Sequence, residues 1–294
     1  MSRSIEWGPA QLMRMFRGSS GRISVTKFSS QYCEIKSIFD SLRPPAITPA
    51  MKAGTEMHQV LEESVMGPPV EFTEEAAMEF SAEDAHALRL GDVVSRWRHL
   101  VDTSKAREIS VYGTIRGIQL KGVIDEAAID EKSRIHLVDT KTYAGDLAVY
   151  KQRLAYHQLL VYYELMGQMI KGKVDIDQLA HEKAKKCDFL VPLHRDIQAA
   201  WGYGTLQEMM DGWKDSLNKL SSGSMAEEVR ADFIDRRNHN TDQIEFKHDV
   251  DTAEQLFAFR SELLSGQRPP LPLSRSVGSC RFCPHFADCS ERQH

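Results

Sequence analysis

Two apolar stretches around one short polar turn constrain this 294-residue chain more than any other feature. The first is Gly122-Val123-Ile124-Asp125-Glu126 and the second His136-Leu137-Val138-Asp139-Thr140-Lys141, with Asp130-Glu131-Lys132-Ser133-Arg134 between them. If Glu131, Lys132 and Ser133 form the loop of a hairpin, Asp130 pairs with Arg134. Counting back along both arms then sets Asp125 directly opposite Asp139. Residues so placed have Cβ atoms about 5 Å apart on one face. Two carboxylates at that separation repel each other unless a cation or a proton lies between them. Lys141 is two residues past Asp139 and points to the same face.

The rest of the chain supplies elements to surround this hairpin. A short helix is expected at Pro9–Phe16 within an otherwise flexible arm over residues 1–22. Order begins at Ile23-Ser24-Val25-Thr26, where Ser24 or Thr26 caps a helix through Cys33 to about Asp40. Pro44, Pro45 and Pro49 break the chain. A second helix starts near Lys52, carries an apolar stripe of Met57, Val60, Leu61 and Val65, and ends at Pro68-Pro69. Ser81 to about Val101 reads as a third. Strands follow: Arg107–Tyr112, with Gly113 as a turn or bulge, then the two arms of the hairpin. Further helices are expected over Leu147–Ile170, Ile197–Leu220 and from Asp251 or Thr252 to near Gly266. Asp188–Pro192 and Ile244–His248 read as strands. The order predicts a mixed α/β fold, a small sheet flanked by helices. No apolar run approaches the 18 residues of a membrane span.

Five cysteines occur: Cys33, Cys187, Cys280, Cys283 and Cys289. No secretory signal is visible, so metal ligation is a better expectation than a disulfide framework. Cys280, Cys283 and Cys289 place three thiols in a C-x2-C-x5-C tail. A metal or cluster wants four ligands, so the fourth is sought in Cys33 or Cys187, with His285 weaker. Spacing does not choose between zinc and iron–sulfur.

Buried together, Asp125 and Asp139 are hard oxygen ligands for one or two Mg2+ or Mn2+ ions. Lys141 beside them would position water or stabilise charge developing on a phosphate. His58 and Glu62 share one helical face, which makes His58 a candidate further ligand. Gln152 and Tyr156 are one turn apart and could hydrogen-bond a phosphate or a base. Arg89, Arg96 and Arg107, with Trp97 among them, are candidates for a basic wall on which bases stack. His181 to Lys186 reads as a solvated charge run. Net charge is −5, which argues against general coating of nucleic acid but leaves a local basic groove open.

Gly54-x-x-x-His58, Gly122-Val-Ile-Asp125, Asp139-Thr-Lys141 and Gln152-x-x-x-Tyr156 together resemble the RecB-type branch of the PD-(D/E)XK nucleases. Cys33 with the C-terminal cysteines resembles the iron–sulfur members of that branch. Ser24-Val25-Thr26 … Tyr32-Cys33-Glu34 and Arg107-Glu108-Ile109-Ser110-Val111-x-Gly113 are most similar to exonuclease V. The resemblance spans about residues 23–289. It implies a restriction-endonuclease-like core in a single domain over 23–294. It implies Mg2+- or Mn2+-dependent exonuclease action on single-stranded DNA, with the 5′ end as the expected start, in DNA repair or mitochondrial DNA maintenance. It also implies a [4Fe-4S] cluster on Cys33, Cys280, Cys283 and Cys289, leaving Cys187 spare. Asp125 and Asp139 become metal ligands with His58, Lys141 the catalytic lysine, and Gln152 and Tyr156 residues near the site. Glu108 is expected behind the ligands. Tyr143 stands where many relatives have arginine.

The rival expectation is a non-catalytic DNA-binding or scaffold protein that retains fold and cluster. Expected partners are single-stranded DNA and a single-strand DNA-binding protein, with the chain itself a monomer. Arg3, Arg14, Arg17, Arg22 and Lys27 against Glu6 alone weakly suggest a mitochondrial transit sequence, so a mitochondrial or nuclear location is expected.

Overall fold

The computed structural model of the chain describes residues 9–17, 21–30, 33–43, 45–182, 184, 186–272, 280 and 283–289. In chain order its elements are α1 (Pro9–Phe16), β1 (Ile23–Ser24), α2 (Val25–Ser29), α3 (Glu34–Leu42), α4 (Pro49–Met66), α5 (Glu74–Met78) and α6 (Ala82–Thr103). Then come β2 (Lys105–Ile115), β3 (Ile118–Ile129), β4 (Arg134–Tyr143), α7 (Val149–Ile170), α8 (Ile176–His181), α9 (Arg195–Trp201) and α10 (Leu206–Leu220). The series closes with β5 (Ser224–Met225), β6 (Glu228–Asp235), β7 (Thr241–Lys247) and α11 (Val250–Leu264). The strands form one mixed sheet in the order β1-β3-β4-β6-β7, with β2 on β3 and β5 on β4. Helices flank it, as expected.

Two turns fix the register of the long strands. Arg116 and Gly117 both have positive φ, the signature of a two-residue I′ hairpin turn, and Ile115 pairs with Ile118 across it. The second turn is the three-residue loop read from the sequence. Asp130 N–H donates to Arg134 O at 3.0 Å, and Ser133 closes the loop at φ 58°. The ladder beyond pairs Ile129 with Ile135 and Glu126 with Val138, so the next step places Asp125 opposite Asp139. β4 then takes β6 as a parallel neighbour, with Asp139 beside Ala231 and Lys141 beside Phe233. β6 itself was not among the expected strands, although four of its eight residues, Val229, Ala231, Phe233 and Ile234, are buried hydrophobics.

α7 lies against one face of the sheet, where glycines admit it. A Cβ on Gly122 would fall 2.5 Å from the Tyr162 ring, and one on Gly113 would meet Gln168 and Leu165. Gly113 is therefore a packing position inside β2, and the turn expected there falls at Arg116–Gly117 instead. α6 and α10 serve the other face, where Tyr112 meets Trp213 edge-on at 6.2 Å.

Several boundaries differ from expectation for identifiable reasons. The single helix expected from Ser24 to Asp40 is two: Ser24 caps α2, and Cys33 caps α3 by accepting a hydrogen bond from Lys36 N–H at 3.4 Å. Pro49 occupies the first turn of α4, where its missing N–H costs nothing. Gly202, left-handed at φ 74°, ends α9 and splits the helix expected over Ile197–Leu220. Asp188–Pro192 is a turn; Leu190 is 72% exposed, so its apolar run does not mark a strand. In the charge run, Glu182 pairs with the buried Arg22. Within the expected arm, α1 seats Phe16 in the core.

The two ends of the chain meet. Glu34, at the start of α3, is almost wholly buried and binds both Arg260 of α11 and Arg268, while also accepting Leu271 N–H at 2.9 Å. Burial pushes the Glu34 carboxyl up, but the two guanidinium groups and the Leu271 N–H outweigh it and hold the carboxyl below its ordinary value.

Candidate active site

Three carboxylates stand in a row across three adjacent strands. The β2–β3 ladder pairs Arg107 with Glu126 and Ile109 with Ile124, so Glu108 lies opposite Asp125. Asp125 in turn lies opposite Asp139. None of the three takes part in the antiparallel ladder at its own position. Glu108 has φ 54°, the left-handed region that a side chain with Cβ rarely adopts. Asp125 instead accepts the Thr140 N–H at 2.5 Å. The Asp125 side chain thus takes the place of backbone pairing at this step.

α4 brings His58 to this row. A Cβ on Gly54 would lie 3.1 Å from Thr142 Oγ1, so the absent side chain lets the helix lie close on β4. His58 Nδ1 is then 3.4 Å from Glu108 Oε1 and 4.0 Å from Asp125 Oδ1. The ligand atoms of His58, Glu108 and Asp125 lie within 4.8 Å of one another. The hydrogen bond to Glu108 raises the His58 pKa against the opposing effect of burial.

Asp139 is fully buried. One of its oxygens accepts from Lys141 Nζ at 2.7 Å, and the other, Oδ2, has no hydrogen-bond partner. Burial pushes Asp139 up to about 7; Lys141 opposes the rise and Asp125 adds to it. Burial likewise raises Asp125, with Lys141 and His58 opposing. A buried pair of acids held above their ordinary range, with one oxygen unpartnered, is short of positive charge. These donors fit a divalent cation with hard oxygen and imidazole ligands.

The other expected site residues divide. Tyr156 stacks on Phe246 at 4.9 Å and donates its hydroxyl to Lys247 O, so it serves the contact between α7 and β7. Gln152 is half-buried one turn earlier. Trp97 has no exposed surface and donates its indole N–H to Ser110 O, so no base can stack on it. Arg107 is 4% exposed and bound to Glu126. Arg96 is held by Glu62 and Asp92. The stacking wall expected from Arg96, Trp97 and Arg107 is therefore core and ion pairs, and Arg89 alone of the four is exposed. Tyr143, in the position where arginine was expected, donates to Asp242 at 2.7 Å. Glu108, expected behind the ligands, stands in the row itself, where counting register from the Arg116–Gly117 turn also puts it. Tyr162, a buried residue of α7 whose phenol is kept protonated by burial and by the charges of Asp139 and Asp125, escaped the sequence reading.

At the joined chain ends, Cys33, Cys280, Cys283 and Cys289 line one small cavity with Phe39, Pro272 and Phe286. His285 lines it too, but its Nε2 contacts Asp40 at 2.8 Å and its ring stacks on Phe39. Cys187 lies elsewhere, against Ala82 O at the start of α6.

The class that fold and site define is a mixed α/β protein with an acidic row at its sheet, Asp125 and Asp139 buried and Glu108 half-buried, whose donors fit a divalent cation. Residues 11–134 match the family described as exonuclease V, a 5′ deoxyribonuclease. Exonuclease V, mitochondrial, of Komagataella phaffii is 30% identical over 122 residues, which are 39% of this chain and 22% of that protein. Exonuclease V of Danio rerio is 29% identical over 132 residues, 44% of this chain and 32% of that protein. A crystal structure described as SSO0001 superimposes with a TM-score of 0.43 at 13% identity, covering 93% of this chain and 88% of that one. The similarity to the exonuclease V family runs through residues 11–134. The match spans a third or less of either curated relative. No helix among the described residues is long and apolar enough to cross a membrane.

Proposed function

We propose that the chain is a metal-dependent exodeoxyribonuclease acting on single-stranded DNA from the 5′ end, built on a restriction-endonuclease-like core in one domain from residue 23 onward. The observation that carries this reading is the row Glu108–Asp125–Asp139 with Lys141 and His58 converging on it. His58, Glu108 and Asp125 would hold a Mg2+ or Mn2+ ion, with Asp139 completing the set through its unpartnered oxygen. Such an ion supplies Lewis acidity at a phosphoryl oxygen and lowers the pKa of attacking water. The protein's own groups do the rest. The Thr140 N–H orients Asp125. Asp139 holds the Lys141 ammonium over the site, where it stabilises charge developing on the phosphate. Retention of all these groups, with His58 against Glu108 and Asp125 and Lys141 against Asp139, favours catalysis over a scaffold role. The test is digestion of single-stranded DNA labelled at either end, with Mg2+ and then with EDTA. Asp139→Asn should abolish cleavage and leave the circular dichroism unchanged. Cleavage by that variant at the wild-type rate sinks the assignment.

The four cysteines around one cavity support a [4Fe-4S] cluster joining residue 33 to residues 280–289. Cys33 sits at a helix N-terminus, which favours a thiolate there. Absorbance near 400 nm that survives Cys187→Ser and is lost in Cys33→Ser is the expected result. A mitochondrial or nuclear location and an encounter with single-strand DNA-binding protein belong to the same reading.

A further inference from the structure

A polar cavity of about 140 Å3 lies between Arg22, just ahead of β1, the β2–β3 hairpin, α6, α8 and α10. Arg22, Arg89, Lys121, Tyr112, Trp213 and Glu182 line it. Three cations thus face one carboxylate, and Glu182 is already committed to Arg22. The Arg22 guanidinium also lies over the Tyr112 ring at 5.7 Å. Lys121 has no ion-pair partner among the described residues. His86, at the cavity wall, adds no charge: burial holds its pKa below the ordinary value, and its ring nitrogens meet Ala180 O and Arg89. Trp213 is 2% exposed, and its indole N–H has no hydrogen-bond partner. In a chain of net charge −5, this is a built collection of donors whose one carboxylate is already taken by Arg22.

Its place in the sheet says which acceptor. Tyr112 pairs with Lys121 across the β2–β3 ladder, and Ser110 pairs with Val123. By strand alternation all four side chains share a face with Glu108 and Asp125. Lys121 is four residues from Asp125, or about 13 Å at ~3.3 Å per residue. Val123, midway on that face, is 40% exposed, so the line between the two sites is open. A strand over the acidic row that runs along β3 reaches this cavity about four nucleotides on at a ~3.4 Å stacked rise, and sooner where it is stretched.

We propose that this cavity binds a phosphate group of the nucleic-acid strand, two to four nucleotides from the cleaved bond, through Lys121, Arg22, Arg89 and the Trp213 indole N–H. Planar guanidinium groups and a buried N–H match the several oxygens of a phosphate. The identity of the ligand as substrate rests on the nuclease reading; the cavity's demand for an anion does not.

The test compares the full chain with Lys121→Gln and Lys121→Arg. Inorganic phosphate is titrated by calorimetry and by tryptophan fluorescence. Binding of a single-stranded oligonucleotide is measured by anisotropy, without divalent metal, over a range of salt. Lys121→Gln should weaken phosphate binding several-fold and lower oligonucleotide affinity. Its log–log salt slope should be shallower by about 0.7, the value for one lost contact on a single strand. Lys121→Arg should behave as wild type. Equal phosphate and oligonucleotide binding in Lys121→Gln and wild type overturns the proposal. Loss of phosphate binding with an unchanged oligonucleotide slope also overturns it, because the cavity then takes free phosphate. Failure of the nuclease reading looks different: the wild type itself does not cleave DNA, whatever Lys121→Gln does.

Discussion

Glu108 and Asp125 face each other across β2 and β3 at a position where the backbone ladder is interrupted, and Glu108 is held there with φ 54°. Strain of this kind costs on the order of 1–3 kcal/mol and persists only where surrounding structure imposes it. Here it aims a third carboxylate at the point His58 and Asp125 already share. Glu108→Gln removes one anionic ligand and keeps the shape. The Mg2+ concentration for half-maximal cleavage should then rise about tenfold or more, since ligand charge sets the affinity of hard cations. An unchanged Mg2+ titration would place Glu108 outside the ligand set.

Asp139 makes the metal-free protein sensitive to pH. Its folded carboxyl titrates at about 7, raised first by burial, whereas an unfolded aspartate titrates at about 4. The folded state therefore keeps a proton that the unfolded state releases. The stabilisation is full below about pH 4 and is lost as pH rises through about 7. Without metal, the melting temperature should fall between pH 5 and pH 8. Asp139→Asn should flatten that dependence, and Mg2+ should restore wild-type stability at pH 8. A melting temperature that rises over this interval contradicts the assignment.

The close approach of Gly54 to Thr142 Oγ1 sets how deeply α4 seats His58. Gly54→Ala improves the helix itself by roughly 0.5–1 kcal/mol, but either Thr142 or the helix must give by a few tenths of an ångström to admit the new methyl. Cleavage should drop about tenfold while the melting temperature holds, because small misplacements near chemistry cost rate steeply. Thr142→Ala, which removes the obstructing hydroxyl, should recover most of the loss in the double variant. Additive effects of the two changes would show that the contact does not position His58.

Glu34 joins α3 to α11 and to residues 268–271 without any metal. Glu34→Ala leaves the wholly buried Arg260 without its counter-charge, a change that costs about 3–5 kcal/mol in comparable buried pairs. Urea unfolding should report that loss even in protein depleted of iron. A loss under 1 kcal/mol would mean that the chain ends are held by the cysteine cavity alone.

The amino-acid sequence determined the hairpin once its loop was taken as Glu131–Ser133, the loop that the structure has. Alternation is fixed at two residues, and so Asp125, Asp139 and Lys141 share a face before any other element is placed. The same arithmetic, started at Arg116–Gly117, puts Glu108 in the row itself and not behind it, where the resemblance had set it. Three cysteines in ten residues raised the expectation of thiol ligation from the sequence alone. Which other cysteine shares their cavity was decided by the fold: the break between α2 and α3 puts Cys33 at a helix cap beside the C-terminal cysteines, while Cys187 lies against the start of α6. Burial, too, belonged to the tertiary structure. Trp97, Arg96 and Arg107 look like a nucleic-acid surface in one dimension. They become core and ion pairs once α4 and Glu126 close over them, because a cation in a sequence carries no mark of whether its counter-charge will be solvent, substrate or a neighbouring strand. Lys121 shows the converse. Nothing along the chain distinguishes it, and only the meeting of β1, α6 and α10 around it leaves its charge unanswered.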